Sequence, residues 1–145
     1  MTNLFSPGKP QATSPCVKHA CTLCCRDTSM PLTLADMERL TARGERLEDF
    51  SQPDEEDVGY VRLRNTDEGE CHFLLADGRC RVQADKPEGC RLYPFIYNID
   101  SDEVLRDSYC PFNRDFTPPP DVERRVRELI SRLEHEAKGR AAVGP

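Results

Sequence analysis

Apolar side chains are scarce in this chain. Leu, Ile, Val and Phe account for 30 of its 145 residues, or 21%. That is barely above the level at which a charged chain stays unfolded, so a thin core is expected. Basic charge is short as well: 20 Lys and Arg stand against 26 Asp and Glu, a formal net charge of −6. A nucleic-acid binder needs a basic face, so no nucleic-acid partner is expected. No run approaches about 18 apolar residues, so no membrane-spanning helix is expected either. The opening Met1-Thr2-Asn3-Leu4-Phe5-Ser6-Pro7-Gly8-Lys9-Pro10 has neither the basic region nor the apolar stretch of a secretory leader. The expected location is therefore cytoplasmic, where thiols are kept reduced.

What the chain does have is cysteine, eight residues in all. They fall as Cys16-x4-Cys21-x2-Cys24-Cys25, then, after a gap of 45 residues, Cys71-x8-Cys80-x9-Cys90-x19-Cys110. In a reducing compartment this set favours metal ligation over a disulfide framework. Cys21-x2-Cys24 is a spacing that lets two thiolates bite one metal. Thiolates are soft ligands, which leaves zinc or an iron–sulfur cluster as the cofactor. Four thiolates satisfy one tetrahedral zinc or one cluster, so eight supply two sites, or one site and spare thiols. Adjacent Cys24 and Cys25 point to opposite faces of an extended chain. That favours two close sites or a polynuclear centre. Structural zinc contributes roughly 10–16 kcal/mol of apparent binding energy, as much as a whole domain's stability.

Along the chain, residues 1–15 carry Pro7, Pro10 and Pro15 and read as a flexible tail. Residues 32–43 predict a helix, with Thr33 as N-cap, Asp36 in the first turn, Leu34, Met37 and Leu40 on one face, and Gly44 as the stop. The acidic stretch 45–58 reads as a solvated linker. Tyr60–Arg64 is a weak strand. Cys71–Leu75 and Arg79–Gln83 flank the hairpin turn signal Asp77-Gly78. Asp85-Lys86-Pro87-Glu88 opens a short helix with Asp85 as its cap. Phe95–Ile99 and Val104–Tyr109 form a second hairpin about Asp100-Ser101-Asp102. After Pro118-Pro119-Pro120 a helix runs over about 121–138. Its apolar stripe is Val122, Val126, Leu129, Ile130, Leu133 and Ala137, and its ion pairs are Glu123 with Arg127 and Glu128 with Arg132. The expected fold is a small α+β domain organised by cysteine and metal, with short antiparallel hairpins and a C-terminal amphipathic helix. The expected division is a tail at 1–15, a cysteine-cluster domain at 16–116, a Pro-initiated helix at 117–139 packing on it, and a tail at 140–145.

Cys21-x2-Cys24-Cys25, the helix start Leu32-Thr33-Leu34-Ala35-Asp36, Cys71-His72-Phe73-Leu74 and the block from Cys80 to Phe95 occur in a known order. Over about residues 16–112 the chain resembles the YkgJ-like cysteine-cluster family, a zinc- or iron-chelating domain with a CxxCxxCC signature. Its most specific part is the block Cys80-x9-Cys90-Arg91-Leu92-Tyr93-Pro94. The family pattern places its first cysteine at position 18, where this chain has Lys18; Cys16 lies two residues earlier. Gln83 and Lys86 also depart from the family's usual Tyr and Arg. The resemblance implies metal binding in a process the sequence does not name. The family includes a segment of the flagellin lysine-N-methylases, so the alternative is an iron–sulfur redox or methyl-transfer-related enzyme or accessory. No Gly-x-Gly occurs anywhere, so even the weak loop signal for a nucleotide-type cofactor is missing. No catalytic residue or enzyme activity is assigned.

The expected metal ligands are Cys16, Cys21, Cys24, Cys25, Cys71, Cys80, Cys90 and Cys110. Arg91 is expected to donate hydrogen bonds to thiolate sulfur and offset the charge of the centre. Tyr93-Pro94 reads as a turn that closes the site, ahead of a reading of Tyr93 as a phenolate ligand to ferric iron. His19, His72 and His135 are expected to be solvated or hydrogen-bonded rather than ligating. The expected partner is a metal ion, and no protein partner is named.

Overall fold

The computed structural model describes residues 21–143. The expected tail, Cys16 and His19 lie outside the described residues. The chain folds as an α+β domain with two two-stranded antiparallel sheets and a long terminal helix.

Helix α1, Leu34–Ala42, begins where expected. Thr33 Oγ1 accepts from the Asp36 amide at 2.9 Å, and the Asp36 carboxylate accepts from the Thr33 amide at 3.0 Å. This reciprocal box satisfies two amides that the first turn leaves without intrahelical acceptors. The buried face differs from expectation. Leu40 and Met37 are buried, but Leu34 is 50% exposed. At about 100° per residue, steps of three drift around the helix, so Leu34 and Leu40 end about 120° apart. Asp36, four residues from Leu40, takes the inner position instead and is buried with it. Gly44 closes the helix at a φ of 105°, a left-handed conformation that suits glycine.

The acidic stretch is folded rather than a linker. It forms the short helix α2, Leu47–Phe50, and strand β1, Ser51–Pro53. Strand β1 pairs antiparallel with β2, Val61–Leu63, in the register Ser51 to Leu63 and Pro53 to Val61. Phe50 is fully buried and packs against Phe73 with ring centroids 5.5 Å apart. Burying one Phe contributes about 1.5–3 kcal/mol. The surrounding acids can stay outside while it goes in. Glu45 pairs with Arg81 and Glu55 with Arg62.

The Asp77-Gly78 turn forms, but its expected strands do not. Leu75 N donates to Arg79 O at 2.8 Å, and a single bridge joins Leu74 to Cys80. Arg81 N donates to Phe73 O across the same turn, but Cys71 N and His72 N are drawn elsewhere, to Cys25 O and Arg64 O. The chain then curls into a 3-10 turn, Gln83–Asp85. Helix α3, Glu88–Leu92, starts later than expected, with Pro87 and not Asp85 at its cap position. Lys86 is extended because the ring of a following proline disfavours helical backbone.

Strands β3, Phe95–Asn98, and β4, Glu103–Arg106, form the second hairpin as expected, with Phe95 opposite Arg106. Asn98 Oδ1 accepts from the Asp100 and Ser101 amides in its turn. The Tyr93–Pro94 peptide is cis. Helix α4, Val122–Val143, continues past the end that its apolar stripe suggested. Val126, Leu133 and Ala137 are buried along that stripe. Glu123 meets Arg127 as expected, but Glu128 pairs with Arg124 at 3.1 Å. Beyond the stripe, Arg140 Nε donates to Gly59 O at 2.6 Å, which fixes the last turns to the loop before β2.

The core has two parts. One gathers Leu32, Leu40, Phe50, Leu63, Phe73 and Val82 with Cys71; the other gathers Leu92, Phe95 and Val126. The thin core is therefore divided, and cysteines pack into the first part: Cys25, Cys80 and Cys90 lie against it.

Candidate metal centre

The cysteines reach the site from four short segments. Cys24 and Cys25 sit in a 3-10 turn, Leu23–Cys25, with Cys21 just before it. The segment after this turn runs antiparallel to residues 69–71. Asp27 N donates to Gly69 O, Cys71 N donates to Cys25 O, both at 2.7 Å, and a bridge joins Arg26 to Glu70. Thus the early and late halves of the cysteine pattern are joined through backbone. Cys71 and Cys80 flank the Asp77-Gly78 turn, Cys90 lies on α3, and buried Cys110 lies in the turn after β4. Cys21, Cys25, Cys71, Cys80 and Cys90 carry free thiols.

Burial pushes the Cys71, Cys80 and Cys90 thiols above the ordinary range. Opposing this, the backbone at Phe73 and at Val82 hydrogen-bonds to the Cys71 and Cys80 sulfurs, which favours their charged forms. For Cys90 burial is the largest cause. Lys86 opposes the rise, and the neighbouring Cys71, Cys80 and Cys24 add to it. Those influences put Cys24, Cys71 and Cys80 within electrostatic reach of Cys90, and Cys80 within reach of Cys71. Cys24 and Cys110 likewise both act on Tyr93.

Among the described residues no three His, Cys, Asp or Glu side chains are grouped closely enough to hold a metal ion. As donors the cysteine thiols fit zinc or iron: they are soft, Cys71 is buried and Cys80 and Cys90 half-buried, and backbone amides favour thiolate at Cys71 and Cys80. Cys16 lies outside the described residues.

The residues expected behind the ligands have definite partners. Tyr93 Oη donates to Asp107 Oδ2 at 2.6 Å. Burial and that carboxylate raise the phenol well above its ordinary value, so it stays protonated. A protonated hydroxyl hydrogen-bonded to Asp107 favours the turn reading over a phenolate ligand. Arg91 donates to the carbonyls of Ala84 and Lys86, tying the 3-10 turn to α3. His72 lies edge-on to Phe73 with its Nε2 3.3 Å from Arg81 Nη2, and His135 lies on α4. Sequence reasoning missed Asp36 and Arg39, which bind the same 85–88 segment. The Thr33-x-x-Asp36 spacing signalled the cap but not this second duty.

A cleft of about 510 Å3 opens between the 24–31 segment, β3 and α4. Cys24, Met30, Tyr93, Tyr109, Leu129 and Leu133 are among its walls. Of the described cysteines, Cys24 is the one on its lining.

Fold and site together define a small α+β domain that gathers soft sulfur donors around part of its core. The model of the family CxxCxxCC, putative zinc- or iron-chelating domain, matches residues 15–111, and the chain belongs to that family. No curated protein and no solved structure matches the chain. No helix among the described residues is long and apolar enough to cross a membrane.

Proposed function

We propose that the chain binds zinc or iron through cysteine thiolates, with Cys24, Cys71, Cys80 and Cys90 as the nucleus of the site. Cys16, Cys21, Cys25 and Cys110 are the further candidates for completing it or for holding a second ion. The observation that supports this reading is that Cys71, Cys80 and Cys90 pack on one part of the core and that Cys24, Cys71 and Cys80 all lie close enough to Cys90 to act on its thiol. Family membership supports the same chemistry. The ion supplies a soft Lewis acid that draws these thiols together as thiolates. The chain's own residues then act around it. The amides of Phe73 and Val82 steady sulfur charge, Tyr93 and Asp107 fix the turn after Cys90, and Arg91 fixes the turn before it. The reducing cytoplasm is the compartment this reading takes.

The test is elemental analysis with an absorption spectrum on anaerobically purified protein. Stoichiometric zinc or iron is expected, and Cys90→Ser should lose most of it. Full metal content in Cys90→Ser, or none in the wild type, would overturn the assignment.

The cleft beside Cys24 favours a second reading, an iron–sulfur redox or methyl-transfer-related enzyme. A small molecule in that cleft would meet one ligand of the centre. This reading requires iron, acid-labile sulfide and visible charge-transfer absorption. A colourless zinc protein would end it.

A further inference from the structure

The peptide that leads into Cys90 is held from outside the thiol group. Asp36 is 1% exposed. Its carboxylate accepts from Thr33 N at 3.0 Å, from Glu88 N at 3.0 Å and from Arg39 Nη2 at 2.8 Å. Arg39 reaches further: its Nε donates to Asp85 O at 3.2 Å and its Nη2 to Lys86 O at 3.0 Å. From the other side Arg91 donates to Ala84 O at 2.8 Å and to Lys86 O at 3.3 Å. Three consecutive carbonyls and the first amide of α3 are therefore fixed by two guanidiniums and one carboxylate. This segment lies between Cys80 and Cys90.

We infer that Asp36 and Arg39 are positioning residues for the metal centre: by clamping residues 85–88 to α1 they limit the separation of Cys80 and Cys90 before an ion arrives. The inference rests on the thiolate reading above. Its physical basis is preorganisation, because a loop whose carbonyls are already bonded loses little freedom when its two ends share an ion. A buried carboxylate with three donors is also a poor place for any other group. Asp36→Asn keeps the shape but loses the charge that holds Arg39. Arg39→Lys keeps the charge but cannot fork to two carbonyls and a carboxylate.

The test measures the Co(II) dissociation constant by chelator competition, on folded full-length protein, for the wild type, Asp36→Asn, Arg39→Lys and Ala137→Gly. The last variant loosens α4 at Ala137, which packs beside Gly59, and serves as the stability control. The intensity of the thiolate-to-Co(II) absorption reports how many sulfurs bind. We expect Asp36→Asn and Arg39→Lys to weaken binding on the order of 10-fold or more, the usual effect of removing a residue that orients a ligand. Ala137→Gly should lower Tm with its affinity unchanged. Unchanged affinity in both clamp variants overturns the inference, as does an equal loss in Ala137→Gly. Should Asp36→Asn not fold, Arg39→Lys decides. A wild type that binds no Co(II) removes the thiolate reading and this inference with it, whereas normal wild-type binding with unaffected variants removes the inference alone.

Discussion

At the scale of single residues, the chemistry turns on thiols held protonated by burial. Cys71, Cys80 and Cys90 are all raised above the ordinary thiol range in the folded chain. An unfolded cysteine ionises near about pH 8.5. Below that pH both states hold their protons and the thiols contribute nothing to the pH dependence. Above it the unfolded chain releases protons that the folded chain keeps, so stability falls as pH rises. Metal-free protein should therefore lose stability above about pH 8.5, as read by urea midpoints at a series of pH values. Metal binding has the opposite slope, because each bound thiol must first release its proton. Affinity should strengthen with rising pH over the same range. Tyr93 offers a different test. Its hydroxyl is the donor to Asp107, so Tyr93→Phe should cost about 1–2 kcal/mol, seen as a lower urea midpoint.

At the scale of elements, sequence and structure agree where a local signal dictates backbone. Thr33 with Asp36, and Gly44 after Ala42, bracket α1 because capping and left-handed φ are short-range demands. The Asp100–Asp102 turn and the stripe of α4 were legible for the same reason. The 45–58 stretch was not, because its acids outnumber Phe50 in any local count while Phe50 alone has a distant ring to meet. Nor were the Cys71–Leu75 and Arg79–Gln83 segments, which stop short of strands where the Cys71 amide turns to Cys25 O and the His72 amide to Arg64 O. Of the candidate site, the cysteine pattern was legible and its grouping was not. That Cys25 neighbours Cys71 depends on a backbone pairing between residues 25–27 and 69–71 that no spacing encodes. Two glycines separate local from distant constraint. A Cβ on Gly59 would stand 2.2 Å from Ala137 O, whereas one on Gly44 would meet nothing within 4 Å. Both have positive φ. Gly44→Ala should cost about 1–2 kcal/mol of conformational strain. Gly59→Ala should cost about 3 kcal/mol or more, because overpacking against α4 is added. Denaturant unfolding of the two variants checks the difference.

At the scale of the whole molecule, the small apolar content is split between two clusters. Among the described residues, the cysteines that pack into these clusters lie in the one with Leu32, Phe50 and Phe73. Removing the ion should loosen that side first. Hydrogen exchange after chelator treatment should quicken across residues 71–90 more than across the Phe95–Arg106 hairpin. Equal protection in both regions with and without chelator would show that the ion does not support the fold.

The hydrogen bond from Cys71 to the Cys25 carbonyl carries one more consequence. The early thiols leave the ribosome long before their later companions are translated. Until then Cys16, Cys21, Cys24 and Cys25 have only one another among the thiols of the nascent chain. On the proposed ligand set of Cys24, Cys71, Cys80 and Cys90, capture of the ion follows synthesis of residues 71–90, and a polypeptide stalled before that point exposes its early sulfurs to oxidants and stray metal.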